Sequence, residues 1–113
     1  MSVSGWIGVD LDGTLAVYGG WQGANHIGEP VPLMVARVKA WIAEGVAVKI
    51  FTARVAFDDD GSVRKQIEDW CIAHIGTVLP VTNCKDYGMI ELWDDRCVQV
   101  VPNTGKRADG VPE

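Results

Sequence analysis

Asp10 and Asp12 stand two residues apart, directly behind the apolar run Trp6-Ile7-Gly8-Val9 and ahead of Gly13-Thr14. In extended backbone such a spacing points both carboxylates to one side. Two neighbouring carboxylates repel unless a proton or a cation relieves them. A hard divalent cation such as Mg²⁺ takes oxygen ligands of this kind. A carboxylate is also a nucleophile toward phosphorus, and a second one beside it can serve as acid for the leaving group and base for water. Gly13 lets the backbone approach a phosphate closely. Further along, Thr52 offers a hydroxyl to a phosphoryl oxygen, and Arg54 has the fork that holds phosphate through two hydrogen bonds. Lys85 offers charge against the negative charge of a transition state, and Asp94-Asp95 supplies two more carboxylates for a metal.

The elements needed to gather these groups are legible. Trp6–Val9, Val46–Phe51, Thr77–Thr82, Met89–Trp93 and Cys97–Val101 read as five strands. Pro30 and Pro32 open a helix whose apolar stripe is Met34, Val38, Trp41 and Ile42, and Gly45 ends it. Asp58-Asp59-Asp60-Gly61-Ser62 reads as a solvated turn capping a second helix, with Val63, Ile67, Trp70, Cys71 and His74 on one stripe and Gly76 at its end. Residues 13–30 are glycine-rich and read as a loop or small flap. Within it, Tyr18 and Trp21 are suited either to stacking on a substrate ring or to anchoring the loop. Strands alternating with helices predict a mainly parallel sheet with helices on both faces. In such sheets ligands bind beyond the carboxyl ends of the strands. Asp10 and Asp12, Thr52 and Arg54, Thr82 and Asn83, and Asp94 and Asp95 all fall at that predicted edge.

The 113 residues predict one domain, with a core over about 5–101 and a flexible tail over 102–113. The net charge of −5 gives no global basic field for nucleic acid. Cys71, Cys84 and Cys97 have neither disulfide nor zinc spacing and read as reduced thiols. Residues 1–6 lack a basic region followed by a long apolar run, and no apolar stretch approaches about 20 residues. A cytoplasmic protein without membrane contact is the expectation. Calcium-loop readings fail, because the sixth position is Leu15 counted from Asp10 and Val63 counted from Asp58, where glycine is required.

Asp10-Leu11-Asp12-Gly13-Thr14, Lys49-Ile50-Phe51-Thr52, Lys85 and Trp93-Asp94-Asp95-Arg96, in this order, resemble the four motifs of the haloacid dehalogenase superfamily of phosphohydrolases. The resemblance implies a Rossmann-like domain with a central first strand and a Mg²⁺-dependent phosphatase. It implies Asp10 as nucleophile and Asp12 as general acid and base. Thr52 and Lys85 would face the phosphoryl group. The metal would be held by Asp10, Asp12 through its carbonyl, and Asp94 and Asp95, with Asp95 favoured as the direct ligand. Asp94-Asp95-Arg96 with Thr52 and Arg54 also resembles the phosphatase half of polynucleotide kinase-phosphatases. No interval between motifs is long enough for a cap domain, so an open site is expected. The substrate would be a phosphorylated small molecule or a polynucleotide end. Two other readings compete: a phospho-accepting module resembling a response-regulator receiver, and a non-catalytic binding protein on the same fold. A receiver carries a lone acceptor Asp at mid-chain, whereas here Thr52 ends the second strand.

Overall fold

Trp6–Val9 forms strand β1, buried throughout. The computed structural model describes residues 4–112 of the chain. β1 is followed by helix α1 (Pro32–Ala43), strand β2 (Ala47–Phe51), a 3₁₀ turn (Ala53–Phe57), helix α2 (Ser62–His74), strand β3 (Val81–Thr82) and strand β4 (Met89–Trp93). The four strands make one parallel sheet in the order β3-β2-β1-β4, with β1 central. No helix among the described residues is long and apolar enough to cross a membrane.

Local chemistry explains the helix ends. Pro32 occupies the first turn of α1, where its missing N–H costs nothing. Gly45 takes φ +81° and donates to the carbonyl of Ile42, while Val46 donates to that of Trp41, so the last carbonyls are satisfied. The Asp58 carboxylate accepts from the backbone N–H of Val63 (3.1 Å) and Arg64 (3.0 Å), and Asp60 accepts from Ser62 (2.9 Å). The acidic run therefore caps α2, as expected.

Both helices pack on one face of the sheet, not on two. Met34, Val35 and Val38 of α1 and Ile67, Trp70 and Cys71 of α2 share a single buried cluster with Ile7, Val9, Val48 and Ile50. Topology dictates this outcome. The steps β1 to β2 to β3 run in one direction, and right-handed crossovers then place both helices on the same side. On the other face, Trp6 is flanked by Lys49, 4.5 Å from its ring centroid. Asp86 accepts its indole N–H at 2.9 Å.

The sheet has four strands rather than five. A parallel neighbour for β4 needs a crossover of roughly a dozen residues, whereas only Asp94, Asp95 and Arg96 separate Trp93 from Cys97. Val100 instead bridges Arg107 in antiparallel fashion, with Val101 donating to Lys106 and Ala108 to Gln99 (both 2.8 Å). Part of the segment expected to be a loose tail thus folds back on the residues expected to be a strand. β3 is also shorter than expected. Pro80 lacks a donor for a ladder, although its carbonyl accepts from Ile50.

The core reaches directly under the motif that carries the acids. Leu11, Leu15 and Ala16 are fully buried, and the backbone N–H groups of Leu15 and Ala16 return to the carbonyl of Leu11. Asp10 and Asp12, on either side of Leu11, are thereby held partly buried at the edge of the core. Leu11→Ala should destabilise the fold by about 2–5 kcal/mol, read as a lower urea midpoint with an unchanged slope.

Candidate active site at the carboxyl edge of the sheet

In the order β3-β2-β1-β4, the chain leaves β1 in one direction while β4 lies on the other side, so the topological switch point falls between β1 and β4. The backbone continues the pairing one residue past β1, with Asp10 N–H donating to the Trp93 carbonyl at 2.9 Å. Asp10 therefore emerges beside Asp94 and Asp95. One ligand oxygen from each of these three residues lies within 4.8 Å of the others. The Thr14 hydroxyl sits between them, 3.4 Å from Asp10 Oδ2 and 3.5 Å from Asp95 Oδ1.

Gly13 makes the approach of Asp95 possible. It holds φ +90°, and a Cβ there would stand 2.8 Å from the Asp95 carboxyl carbon and closer still to an oxygen. Glycine is required both by the backbone conformation and by the space. Its role is thus to admit the Asp95 carboxylate.

Burial pushes the Asp10 carboxyl up to about 7. Asp94 and Asp95 add to this through repulsion and a shared hydrogen bond, and the Thr14 hydroxyl partly opposes it. Three carboxylates are crowded together here, and the site's buried guanidinium, Arg54, is engaged with Asp12. Such an all-oxygen, anionic donor set fits a hard divalent cation.

The Asp12 carboxylate is held apart from the other three acids. Its two oxygens accept from Arg54, Oδ2 from Nε (2.7 Å) and Oδ1 from Nη2 (2.8 Å). The Arg54 side chain is only 5% exposed. Arg54 also donates from Nη1 to the Ala24 carbonyl (3.1 Å) and from Nη2 to the His26 carbonyl (2.7 Å). Four of its five N–H groups are thus committed to protein. In this arrangement Arg54 fixes Asp12 and the loop rather than offering a phosphate two bonds.

Thr52 ends β2 in the same cleft. It is 2% exposed, and its Oγ accepts from the N–H of Arg54 (3.2 Å), which leaves its hydroxyl proton for another acceptor. Lys85 lies on the exposed connection after β3 and does not line the cleft; Arg54 and Arg96 are the cations that do. The Arg96 N–H donates to Asp94 Oδ1 (2.7 Å), which turns the chain tightly directly after the acid pair. Sequence reasoning gave Arg96 no role at the site, although its place beside Asp94-Asp95 was the available signal.

The cleft has a volume of about 550 Å³ and includes Tyr18, Trp21 and Phe57 along with the polar groups. Phe57 carries no sequence signal that separates it from a core aromatic. The loop that brings Tyr18 and Trp21 is tied at its base. Val17 donates to Glu29 and Val31 to Leu15 (both 2.8 Å), and the Trp70 indole donates to the Gly28 carbonyl (3.0 Å). Between β1 and α1 the described residues hold only isolated bridges, and no cap-sized insertion stands there over Asp10.

No family model and no curated protein matches the chain. Among solved structures it is similar to one described as a conserved protein coded by a locus from Bacteroides thetaiotaomicron. The identity is 22%, over 89% of this chain and 84% of that one, with a TM-score of 0.63. At that identity the likeness is one of fold.

Because the folded-state value of Asp10 lies above the ordinary 3.8, the folded protein holds the proton more tightly than the unfolded chain. Metal-free stability therefore falls as pH rises from about 4 to about 7. Partial exposure screens the cost to about 1–2 kcal/mol. Asp10→Asn should raise the metal-free melting temperature at pH 8 by several degrees and leave it nearly unchanged at pH 3.5, as measured by scanning calorimetry.

Proposed function

We propose that the protein is a Mg²⁺-dependent phosphohydrolase that cleaves a phosphate monoester through an aspartyl-phosphate, in the manner of the haloacid dehalogenase superfamily. The observation that carries this reading is the convergence of Asp10, Asp94 and Asp95 at the switch point of a parallel sheet, with Thr52 in the same open cleft. Magnesium bound by Asp10, Asp94 and Asp95 would neutralise their charge and that of the phosphoryl oxygens, leaving Asp10 ionised and able to attack.

The chain's own residues do the rest. A carboxylate oxygen of Asp10 forms a bond to phosphorus as the bond to the leaving oxygen breaks. Thr52 donates its hydroxyl proton to a phosphoryl oxygen and holds the group in line. Arg96 adds positive charge at the cleft, the role first expected of Lys85. Asp12, after taking a proton from solvent, gives it to the leaving oxygen and then takes one from the water that hydrolyses the phospho-aspartate. Both of its oxygens accept from Arg54, so Asp12 must loosen at least one of these bonds to carry a proton. Arg54 is accordingly a positioning residue. It sets where Asp12 waits.

Two measurements test this reading. Asp10→Asn should reduce Mg²⁺-dependent hydrolysis of an aryl phosphate by at least about 1,000-fold, and undiminished turnover would sink the nucleophile assignment. Arg54→Lys keeps the charge but loses the fork. It should lower kcat by about 10- to 100-fold with little change in KM, and shift the pH profile of kcat because the partner of the acid-base group has changed. A pH profile identical to wild type would show that Arg54 does not act through Asp12.

A further inference from the structure

The aromatic wall of the cleft goes unused in the chemistry above. Trp21 is 59% exposed, Phe57 is 91% exposed and Tyr18 is partly exposed, yet all three line the cleft that holds Asp10. Aromatic side chains each carry 150–250 Å² of surface that is normally buried, so three of them left open beside one polar centre need a partner. Trp21 in particular is held in place. The Arg54 guanidinium lies 4.9 Å from its ring centroid, and Arg54 is itself fixed by Asp12 and by the carbonyls of Ala24 and His26. The indole thus rests against a guanidinium that Asp12 and the loop carbonyls hold, on the wall of the cleft that contains Asp10.

Charge limits what else the ligand carries. A polynucleotide is held by several phosphate contacts to Lys and Arg, but this cleft offers only Arg54, already engaged, and Arg96. The whole chain carries a net charge of −5. A cleft of about 550 Å³ falls within the range of small-molecule sites. Together these features match one phosphate and one flat ring.

We propose that the substrate is a small phosphomonoester whose leaving group bears a flat aromatic ring that stacks on Trp21. The proposal rests on the phosphatase reading of Asp10 and extends it to the substrate class. Nucleoside monophosphates and simple aryl phosphates share the required chemistry. Stacking of a base on one aromatic side chain is worth about 5- to 150-fold in affinity.

The test compares ligands matched in charge. With Mg²⁺, the full-length protein should turn over AMP or CMP with a kcat/KM about 10-fold or more above that for ribose 5-phosphate. Trp21→Ala should collapse that ratio toward one, and Trp21→Phe should retain most of it. In the Asp10→Asn variant, which blocks turnover, AMP should quench indole fluorescence where ribose 5-phosphate does not, and adding Trp21→Phe should remove the quench. Tighter binding of AMP than of phenyl phosphate in that assay assigns a nucleotide, and the reverse assigns an aryl ester; both keep the ring. A wild-type ratio near one, or a ratio that survives Trp21→Ala, overturns the proposal while leaving the phosphatase reading intact. Quenching by AMP with no turnover of any ester overturns the phosphatase reading and leaves ring binding standing. Neither quench nor turnover overturns both.

Discussion

Four carboxylates stand at the ends of β1 and β4, and one buried cation serves a single one of them. Arg54 reaches Asp12 with two short hydrogen bonds from a side chain almost wholly removed from solvent. Breaking such a pair by removing one partner typically costs about 3–5 kcal/mol, because the remaining charge is left uncompensated. The other three acids have no equivalent partner. Burial, together with their mutual repulsion, raises Asp10 to about 7. This division separates the acids by role. Asp12 is pinned by protein, while Asp10, Asp94 and Asp95 form a group whose repulsion a bound cation would relieve.

The architecture maintains that division through its connections. β1 and β4 are adjacent in the sheet although far apart in sequence, so their tips deliver Asp10 and the pair Asp94-Asp95 to one point. β2, on the opposite side of β1, delivers Thr52 and, two residues later, Arg54. The buried leucines at 11 and 15 lock the intervening backbone into the core. Gly13 supplies the gap into which Asp95 fits.

The site was more legible in the sequence than the layers around it. Asp10, Asp12, Thr52 and Asp94-Asp95 stand at the ends of apolar runs, and a strand end is a local feature. The sidedness of the helices depends on strand order, which no local pattern encodes. The apolar run at Cys97–Val101 reads as a strand by composition, but the short link behind Trp93 denies it a place in the sheet. The surroundings of Arg54 and Lys85 are hidden from the sequence for a related reason. Arg54 meets Asp12 across 42 positions of sequence, a contact visible only in three dimensions, and it removes from the phosphate a group whose type suited that task. Lys85 has the charge for the role, but the chain exits β3 so as to leave it outside the cleft.

The tie between Arg54 and the carbonyls of Ala24 and His26 has a thermodynamic consequence for whatever enters the cleft. A glycine-rich loop left free must surrender backbone entropy of about 1–2 kcal/mol for each residue it orders. Here that entropy is lost when the chain folds, because the guanidinium that steadies Asp12 also gathers the loop. A ligand therefore meets a surface already organised, and the free energy of its contacts is not spent on closing the loop.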